Sequence, residues 1–549
     1  MRAERALCLV RVLVGVAILV PSVAAAESRG RELYKQHCAP CHGETGDGQG
    51  ELAYLVYPRP RDFTRGSFKF RSTPSGEPPT DADLMRTLTN GLPGTAMPSW
   101  RGFSEADRRA IVEVVKSFAP RLFAREGHPV AIPDPPGDLS SLATRGRAVF
   151  QRMQCYQCHG QGGRGDGPSS ATLKDDWGVP SRPFDFTRGA RMRGGSMPRD
   201  IYRTFMTGVD GTPMPSFADS VPEDERWPLV AYVMSLSRGG ARAPTRGPVE
   251  VREVEQAALD PNDGIWREGP ATTVELRPLW SRDEYADTAS VRAVTDGLRL
   301  SVLVEWEDAR RDQNNFRAQD FRDAIAIQFP VAVDGEAINA ADLPFHGMGA
   351  RSRAMNIWHW KADWQADLGR GVRDLDAIYP RNATGQYPRD SEERAQFYTG
   401  RAAGNPLSRA KRTSAGEELN ATAPGTLTSQ PQESQELEAK GVWAEGKWRV
   451  VFRRNLESKD GENGLDVQMA GLAHVPFALA IWDGAAGDRN GQKIVSTWSE
   501  MIFPGGGVGG GCALVRLPTR HGAASAAILV AVAATIAVGL GARRSRRPR

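Results

Sequence analysis

The chain has 549 residues, 40% of them hydrophobic and 25% charged, a balance that allows buried cores and excludes a disordered polymer. Its 70 Lys and Arg nearly offset 66 Asp and Glu, leaving a net charge of +4, so no general signal for nucleic acid is present. Six cysteines are too few for a disulfide scaffold, and four of them fall into two CxxC pairs.

Residues 1–26 have the layout of a secretory signal peptide. A basic start with Arg2 and Arg5 precedes the apolar run Val12 to Val20, and Ala24-Ala25-Ala26 stands before Glu27. The rest of the chain is therefore expected to be exported, to the periplasm or the cell surface. Residues 27–125 and 138–240 then form two copies of one unit. Cys38-Ala39-Pro40-Cys41-His42 returns as Cys155-Tyr156-Gln157-Cys158-His159, and Gly46-Asp47-Gly48 as Gly165-Asp166-Gly167. Asp62-Phe63-Thr64-Arg65-Gly66 returns as Asp185-Phe186-Thr187-Arg188-Gly189, and Met97-Pro98-Ser99 as Met214-Pro215-Ser216. The first cysteine and the methionine are 59 positions apart in both copies. Each copy should close with a helix. Ser104 is a plausible N-cap, followed by Ile111, Val114, Val115 and Phe118 at helical spacing; Trp227, Val230, Ala231 and Met234 repeat that pattern.

From Pro248 the period shortens to that of a strand. Leu298, Leu300, Val302, Val304 and Trp306 alternate with mostly polar neighbours, and Ala324 to Val333, Met355 to Trp360, Trp448 to Arg453 and Phe477 to Trp482 are further strand candidates. Residues 248–503 are read as an antiparallel β-sandwich, with the polar stretch 381–440 as a surface insertion. The fold class is thus multidomain α + β: two all-α domains, a sandwich, and a C-terminal transmembrane helix. Residues 505–522 are a Gly-rich linker, 523–542 an apolar run long enough to span a bilayer, and 543–549 a basic tail that keeps that end cytoplasmic.

C-x-x-C-H is the attachment signature of covalent haem. Two cysteines three apart offer their sulfurs to the two vinyl groups of one porphyrin, and the histidine that follows lies under the iron. Cys38, Cys41, Cys155 and Cys158 are the expected attachment points of two haems c, with His42 and His159 as axial ligands. A structural zinc site needs four ligands, whereas each copy offers three locally. Met97 and Met214, each in a Pro-flanked loop before the last helix, are the expected sixth ligands; Met197 also precedes a proline but breaks the 59-residue register. On these motifs residues 28 to 120 and 140 to 238 resemble class I cytochromes c, which implies all-α folds with the first and last helices crossed.

Phe345-His346-Gly347-Met348-Gly349 and Met355-Asn356-Ile357-Trp358-His359-Trp360-Lys361-Ala362 resemble the haem-binding γ subunits of ethylbenzene dehydrogenase. So do Asp323 to Pro330 and Gly491-Gln492-Lys493-Ile494-Val495-Ser496-Thr497-Trp498. That resemblance implies a sandwich holding a non-covalent haem b between a methionine and a lysine, here Met348 and Lys493. It also implies partners in a molybdopterin oxidoreductase and an iron–sulfur subunit. Met355 competes with Met348, and His346 and His359 remain as imidazole candidates; His359 is read as a hydrogen-bonded packing residue of a Trp-rich strand.

The reading is an exported, non-catalytic electron-transfer subunit. It would pass electrons between a molybdenum-type oxidoreductase and other cytochromes through one haem b and two haems c. A dihaem cytochrome with a carbohydrate-binding-like sandwich is the alternative, with Trp358, Trp360 and Trp364 as exposed stacking platforms. A dihaem peroxidase is disfavoured because both copies offer a methionine. Gly505 to Cys512, the apolar run and the Arg-rich tail also resemble the tripartite C-terminal sorting signals of some Gram-negative bacteria. Processing at Cys512 and a retained membrane anchor both remain open.

Overall fold

The computed structural model describes residues 27–237 and 247–505, apart from 283, 333–337, 339–342, 344–352, 374–378, 380, 382–404, 406–410, 424 and 460–465. The expected signal peptide, the apolar run at 523–542 and Cys512 lie outside the described residues. So do His346 and Met348. Among the described residues no helix is long and apolar enough to cross a membrane.

The first half is helical. In the first copy α1 covers 27–37, α2 Ala39–His42, α3 Asp81–Asn90, α4 Glu105–Ser117 and α5 Pro120–Phe123. The second copy runs α6 Ala143–Arg152, α7 Tyr156–His159, α8 Pro198–Thr207 and α9 Glu223–Ser235. Ser104 caps α4 by accepting the Asp107 N–H at 3.0 Å, a contact worth about 1 kcal/mol. Ile111 and Val114 are buried with Leu33 and Tyr34 of α1, as the spacing predicts. First and last helices cross closely in both copies, and glycine makes this possible. A Cβ at Gly30 would strike the Ala110 carbonyl, and one at Gly146 the Pro228 carbonyl.

The second half is a β-sandwich. Its strands are β1 Val249–Glu253, β2 Thr272–Pro278, β3 Thr288–Thr295, β4 Arg299–Glu307, β5 Ala324–Pro330 and β6 Met355–Lys361. After helix α10 (Ala362–Arg370) come β7 Gly416–Ala421, β8 Thr428–Ser429, β9 Glu438–Ala444 and β10 Lys447–Asn455. β11 His474–Trp482, β12 Ile494–Ser496 and β13 Ser499–Ile502 complete it. The strands follow the order β8-β7-β6-β5-β11-β12-β2-β3-β4-β10-β9. The pairing is antiparallel except at β1, which runs parallel to β3 and β13. The sheet doubles back on itself, so that Trp360 of β6 packs against Trp448 of β10 at 4.8 Å and Trp306 of β4 at 6.5 Å.

Two expectations need correction. The polar stretch 381–440 is not wholly a surface insertion, since β7, β8 and the start of β9 lie within it and pair into the sheet. Its polarity hid the strand because its acids are buried and paired. Glu418 meets the Arg454 guanidinium at 3.1 Å with both side chains fully buried, and Glu417 meets Lys361. The tryptophans offered as sugar platforms are not exposed either. Trp358 and Trp360 are fully buried and Trp364 is 4% exposed, because β6 turns Trp358 and Trp360 into the sandwich core.

Candidate haem sites

Each CxxCH segment starts a short helix that ends at a glycine with positive φ, Gly43 at 80° and Gly160 at 78°. Behind the turn, a Cβ on Gly50 or Gly167 would strike the carbonyls of the CxxCH helix itself. Gly50, two residues past Gly46-Asp47-Gly48, and Gly167, the last residue of Gly165-Asp166-Gly167, thus let the following chain lie against the attachment segment. His42 sets its Nδ1 at 3.0 Å from the Arg61 carbonyl oxygen and stacks on Phe63 at 4.6 Å. His159 does the same with the Phe184 carbonyl at 3.3 Å and Phe186 at 4.4 Å. A backbone acceptor on Nδ1 fixes the tautomer that leaves Nε2 as an electron-pair donor, the orientation an axial ligand needs. Burial lowers the His42 pKa to about 4 and moves His159 in the same direction, so both rings are neutral at physiological pH.

Burial pushes the Cys38 and Cys41 thiols up to about 12, with the neighbouring Cys41 adding to the effect on Cys38; Cys155 rises to about 11 for the same first reason. Redox dithiols work through a depressed thiol pKa, so this environment is the wrong one for them. Neither triplet gathers, among the described residues, into a set of ligand atoms close enough to hold a metal ion directly. A porphyrin between the groups fits the donor set instead.

The two methionine loops are superposable in their bonding. The Thr95 hydroxyl accepts the Met97 N–H at 3.2 Å and Thr212 that of Met214 at 3.3 Å. The Ser99 and Ser216 hydroxyls donate back to the Thr89 and Met206 carbonyls. Met97 packs against the cluster that contains Cys38, and Met214 against the one joined by Cys155. Met197 is 69% exposed at the start of α8.

In the sandwich, strand alternation divides β6 between two environments. Trp358 and Trp360 point into the core, while Met355 and Ile357 point outward onto a second apolar cluster with Ala326, Leu419, Ala480, Trp482 and Trp498. Ala326 and Ala480 contribute only methyl groups to this cluster. Leu343, from the chain between β5 and β6, packs on it. Lys493 lies beside it, 8% exposed, with its Nζ 4.9 Å from the Trp482 ring. Burial lowers its pKa to about 8. The His359 ring also lies against Trp482, at 5.1 Å. Its ring is held neutral by burial and by the positive charges of Lys361, Arg322 and Lys493. Among the described residues its buried Nε2 has no hydrogen-bond partner, while its Nδ1 lies 3.9 Å from a Glu417 carboxylate oxygen. Sequence alone could not expose that orphan nitrogen, since it depends on which strands lie beside β6.

These sites adjoin one another. Val56 and Ala96 of the first helical domain form one buried patch with Leu279 and Val495 of the sandwich. Tyr57 donates to the Leu279 carbonyl at 2.8 Å and accepts from Ser281 at 2.7 Å, and Leu279 in turn donates to the Lys493 carbonyl at 3.0 Å. Between the helical domains, the fully buried Arg71 side chain pairs with Asp210 at 2.8 Å and donates to the Thr207 carbonyl at 2.9 Å. Arg61 lies over Trp177 at 4.5 Å.

Two helical domains with CxxCH attachment segments joined to a β-sandwich define an electron-transfer class of protein. Comparison with known proteins agrees. The cbb3-type cytochrome c oxidase subunit III family matches residues 25–114, the cytochrome c family 143–237, and the ethylbenzene dehydrogenase family 263–494. A protein of Haloferax mediterranei, assigned by name as a respiratory nitrate reductase haem subunit, is 27% identical over 50% of this chain and 81% of its own length. The chlorate reductase subunit gamma of Ideonella dechloratans is 25% identical over 51% of this chain and 97% of its own. Cytochrome c55X of Paracoccus denitrificans is 35% identical over 20% of this chain and 91% of its own. The chain belongs to the cytochrome c family through its helical domains and carries an ethylbenzene dehydrogenase-type domain behind them.

Proposed function

We propose that the chain is an exported electron-transfer subunit, carrying electrons one at a time between a molybdenum-type oxidoreductase with its iron–sulfur subunit and other cytochromes. Haem supplies the reversible one-electron couple; the protein supplies attachment, ligation, burial and spacing. Cys38 and Cys41 attach the first haem c and Cys155 and Cys158 the second, with His42 and Met97, and His159 and Met214, as the axial pairs. Lys493 and Met348 would hold the haem b beside the outer face of the sandwich. The segment that bears Met348 lies between β5 and β6, as does Leu343, which packs on that face.

The observation that carries this reading is the patch joining Val56 and Ala96 to Val495. Ala96 adjoins Met97, and Val495 is two residues from Lys493, so in our reading the methionine side of the first haem c faces the haem b. On its other side, the carbonyl of Arg61 holds His42 while its guanidinium lies over Trp177 of the second domain. Arg71 reaches Asp210 in the loop that leads to Met214. We take the order as haem b, then the haem of Cys38, then that of Cys155; the second helical domain also meets the sandwich, where Arg193 donates to the Ser281 hydroxyl at 3.0 Å. Export follows from the expected signal peptide, and attachment to the membrane, or sorting at Cys512, from the C-terminal run.

The test is a haem count on the purified full chain. Pyridine haemochrome spectra should give two c-type haems and one b-type, with only the c-type staining after denaturation. Replacing either cysteine pair by serine should halve the stain. Two c-type haems without a b would leave the sandwich outside electron transfer and sink the proposal.

A further inference from the structure

At one end of the sandwich three strands meet on aspartates. Asp308 follows β4 directly, Asp323 precedes β5, and Asp483 follows β11. Each offers a carboxylate oxygen, and the three oxygens lie within 4.8 Å of one another. A group of acids alone is not a site, but Asp308 adds a separate observation. The residue is 8% exposed, its Oδ1 accepts the Arg310 backbone N–H at 3.1 Å, and its Oδ2 is buried with no hydrogen-bond partner among the described residues. An orphan carboxylate oxygen in the interior costs several kcal/mol unless a proton or a cation meets it.

The neighbours hold the group in place without neutralising it. Asp323 accepts the Gly484 N–H at 2.9 Å on Oδ1, and the Asp312 N–H at 2.7 Å and Trp448 Nε1–H at 2.9 Å on Oδ2. Arg310 feels the field of Asp323 and Asp483, yet its guanidinium bonds to Asp312 at 2.8 Å. Among the described residues no lysine or arginine pairs with Asp308, Asp323 or Asp483. Burial first, then the charges of Asp323, Asp483 and Asp312, hold the Asp308 carboxyl above the usual carboxylate range; burial does the same to Asp323.

We infer that Asp308, Asp323 and Asp483 bind a divalent cation, Ca2+ in preference to Mg2+, which ties β4 of one sheet to β5 and β11 of the other. An all-oxygen, anionic donor set selects hard cations over zinc or copper. Ca2+ accepts irregular sets of oxygens, whereas Mg2+ holds on to several waters, and two buried aspartates leave little room for those. The cation also anchors the start of the turn 483–488, from which the chain runs on to Lys493. This inference does not rest on the haem reading, since it concerns ion binding alone.

Equilibrium dialysis of the EGTA-stripped full chain against Ca2+, with bound calcium counted by elemental analysis, tests it. A single Ca2+ should bind per chain, weakened by at least an order of magnitude in both Asp308→Asn and Asp483→Asn. Thermal unfolding in Ca2+ should occur above that in EGTA for the parent chain and not for the variants. Tighter uptake of Mg2+ than of Ca2+ would overturn the choice of metal. Equal uptake by the parent and both variants, or none by any, would overturn the site. Asp483 is only half-buried, so its variant keeps the test decisive if Asp308→Asn fails to fold.

Discussion

Lysine binds iron only as the free amine, and the fold supplies the bias by burying Lys493 until its pKa falls from 10.5 to about 8. Between those two values the unfolded chain holds a proton that the folded chain has released, so stability rises with pH across the window. The slope contributed by one such group is about 1.4 kcal/mol per pH unit. Below about pH 8 the folded chain carries a buried ammonium and that gain is absent. With haem b extracted, the urea midpoint of the parent chain should therefore climb from about pH 8 to 10.5, more steeply than in Lys493→Met. Parallel pH profiles would remove the case for a poised amine. In the loaded protein, Lys493→Ala should lose b-type haem while the c-type spectrum stays intact. His359→Ala should retain that haem, because the imidazole is assigned no iron bond; loss in His359→Ala alone would transfer the ligand role to its orphan Nε2. The CxxCH pairs were legible in the sequence because all their chemistry lies within five consecutive residues. Lys493 could be singled out only through a family resemblance, since one lysine at a strand end looks like any solvated charge, and its burial depends on the fold.

At the scale of elements, periodicity found the strands whose inward faces are aliphatic or aromatic, β4, β5, β6, β10 and β11. It missed β7, whose sequence Gly416-Glu417-Glu418-Leu419-Asn420-Ala421 reads as a polar loop. Arg454 compensates Glu418 across the core and Lys361 compensates Glu417, and a pairing between distant strands leaves no local trace. The helix crossings were equally silent. Gly146 is the ninth residue before Cys155 and looks like a mild defect in α6, where glycine costs up to about 1 kcal/mol against alanine. In the structure the sign reverses, because a methyl group there would overlap the backbone of α9 at Pro228. Gly146→Ala should therefore destabilise the second helical domain by several kcal/mol, as overpacking against rigid backbone does. Thermal unfolding followed at the c-type Soret band checks this. The first domain's transition serves as the internal control, and an unchanged second transition would refute the crossing.

Across the whole molecule, function depends on contacts between domains that no motif announces. Val56, Ala96, Leu279 and Val495 are small or medium apolar residues, indistinguishable in the sequence from any others, yet they close the distance between the proposed sites of haem b and the first haem c. The second junction is polar. Removing Asp210 leaves the Arg71 guanidinium buried and uncompensated, a loss of about 3–5 kcal/mol when one partner of a buried pair is deleted. The two junctions therefore fail differently. Val56→Asp places a charge in the first junction, and Asp210→Ala loosens the second. If electrons pass in the order haem b, first haem c, second haem c, flash-induced reduction of haem b should show two separate defects. Val56→Asp should slow the first oxidation of haem b by at least an order of magnitude and leave exchange between the two haems c intact. Asp210→Ala should leave the first oxidation fast and slow the spread of the electron to the second haem c. Haem stoichiometry measured on the same samples separates a broken junction from a lost cofactor. If Asp210→Ala slows the oxidation of haem b while Val56→Asp does not, the second haem c is the one next to haem b, and the proposed order is wrong.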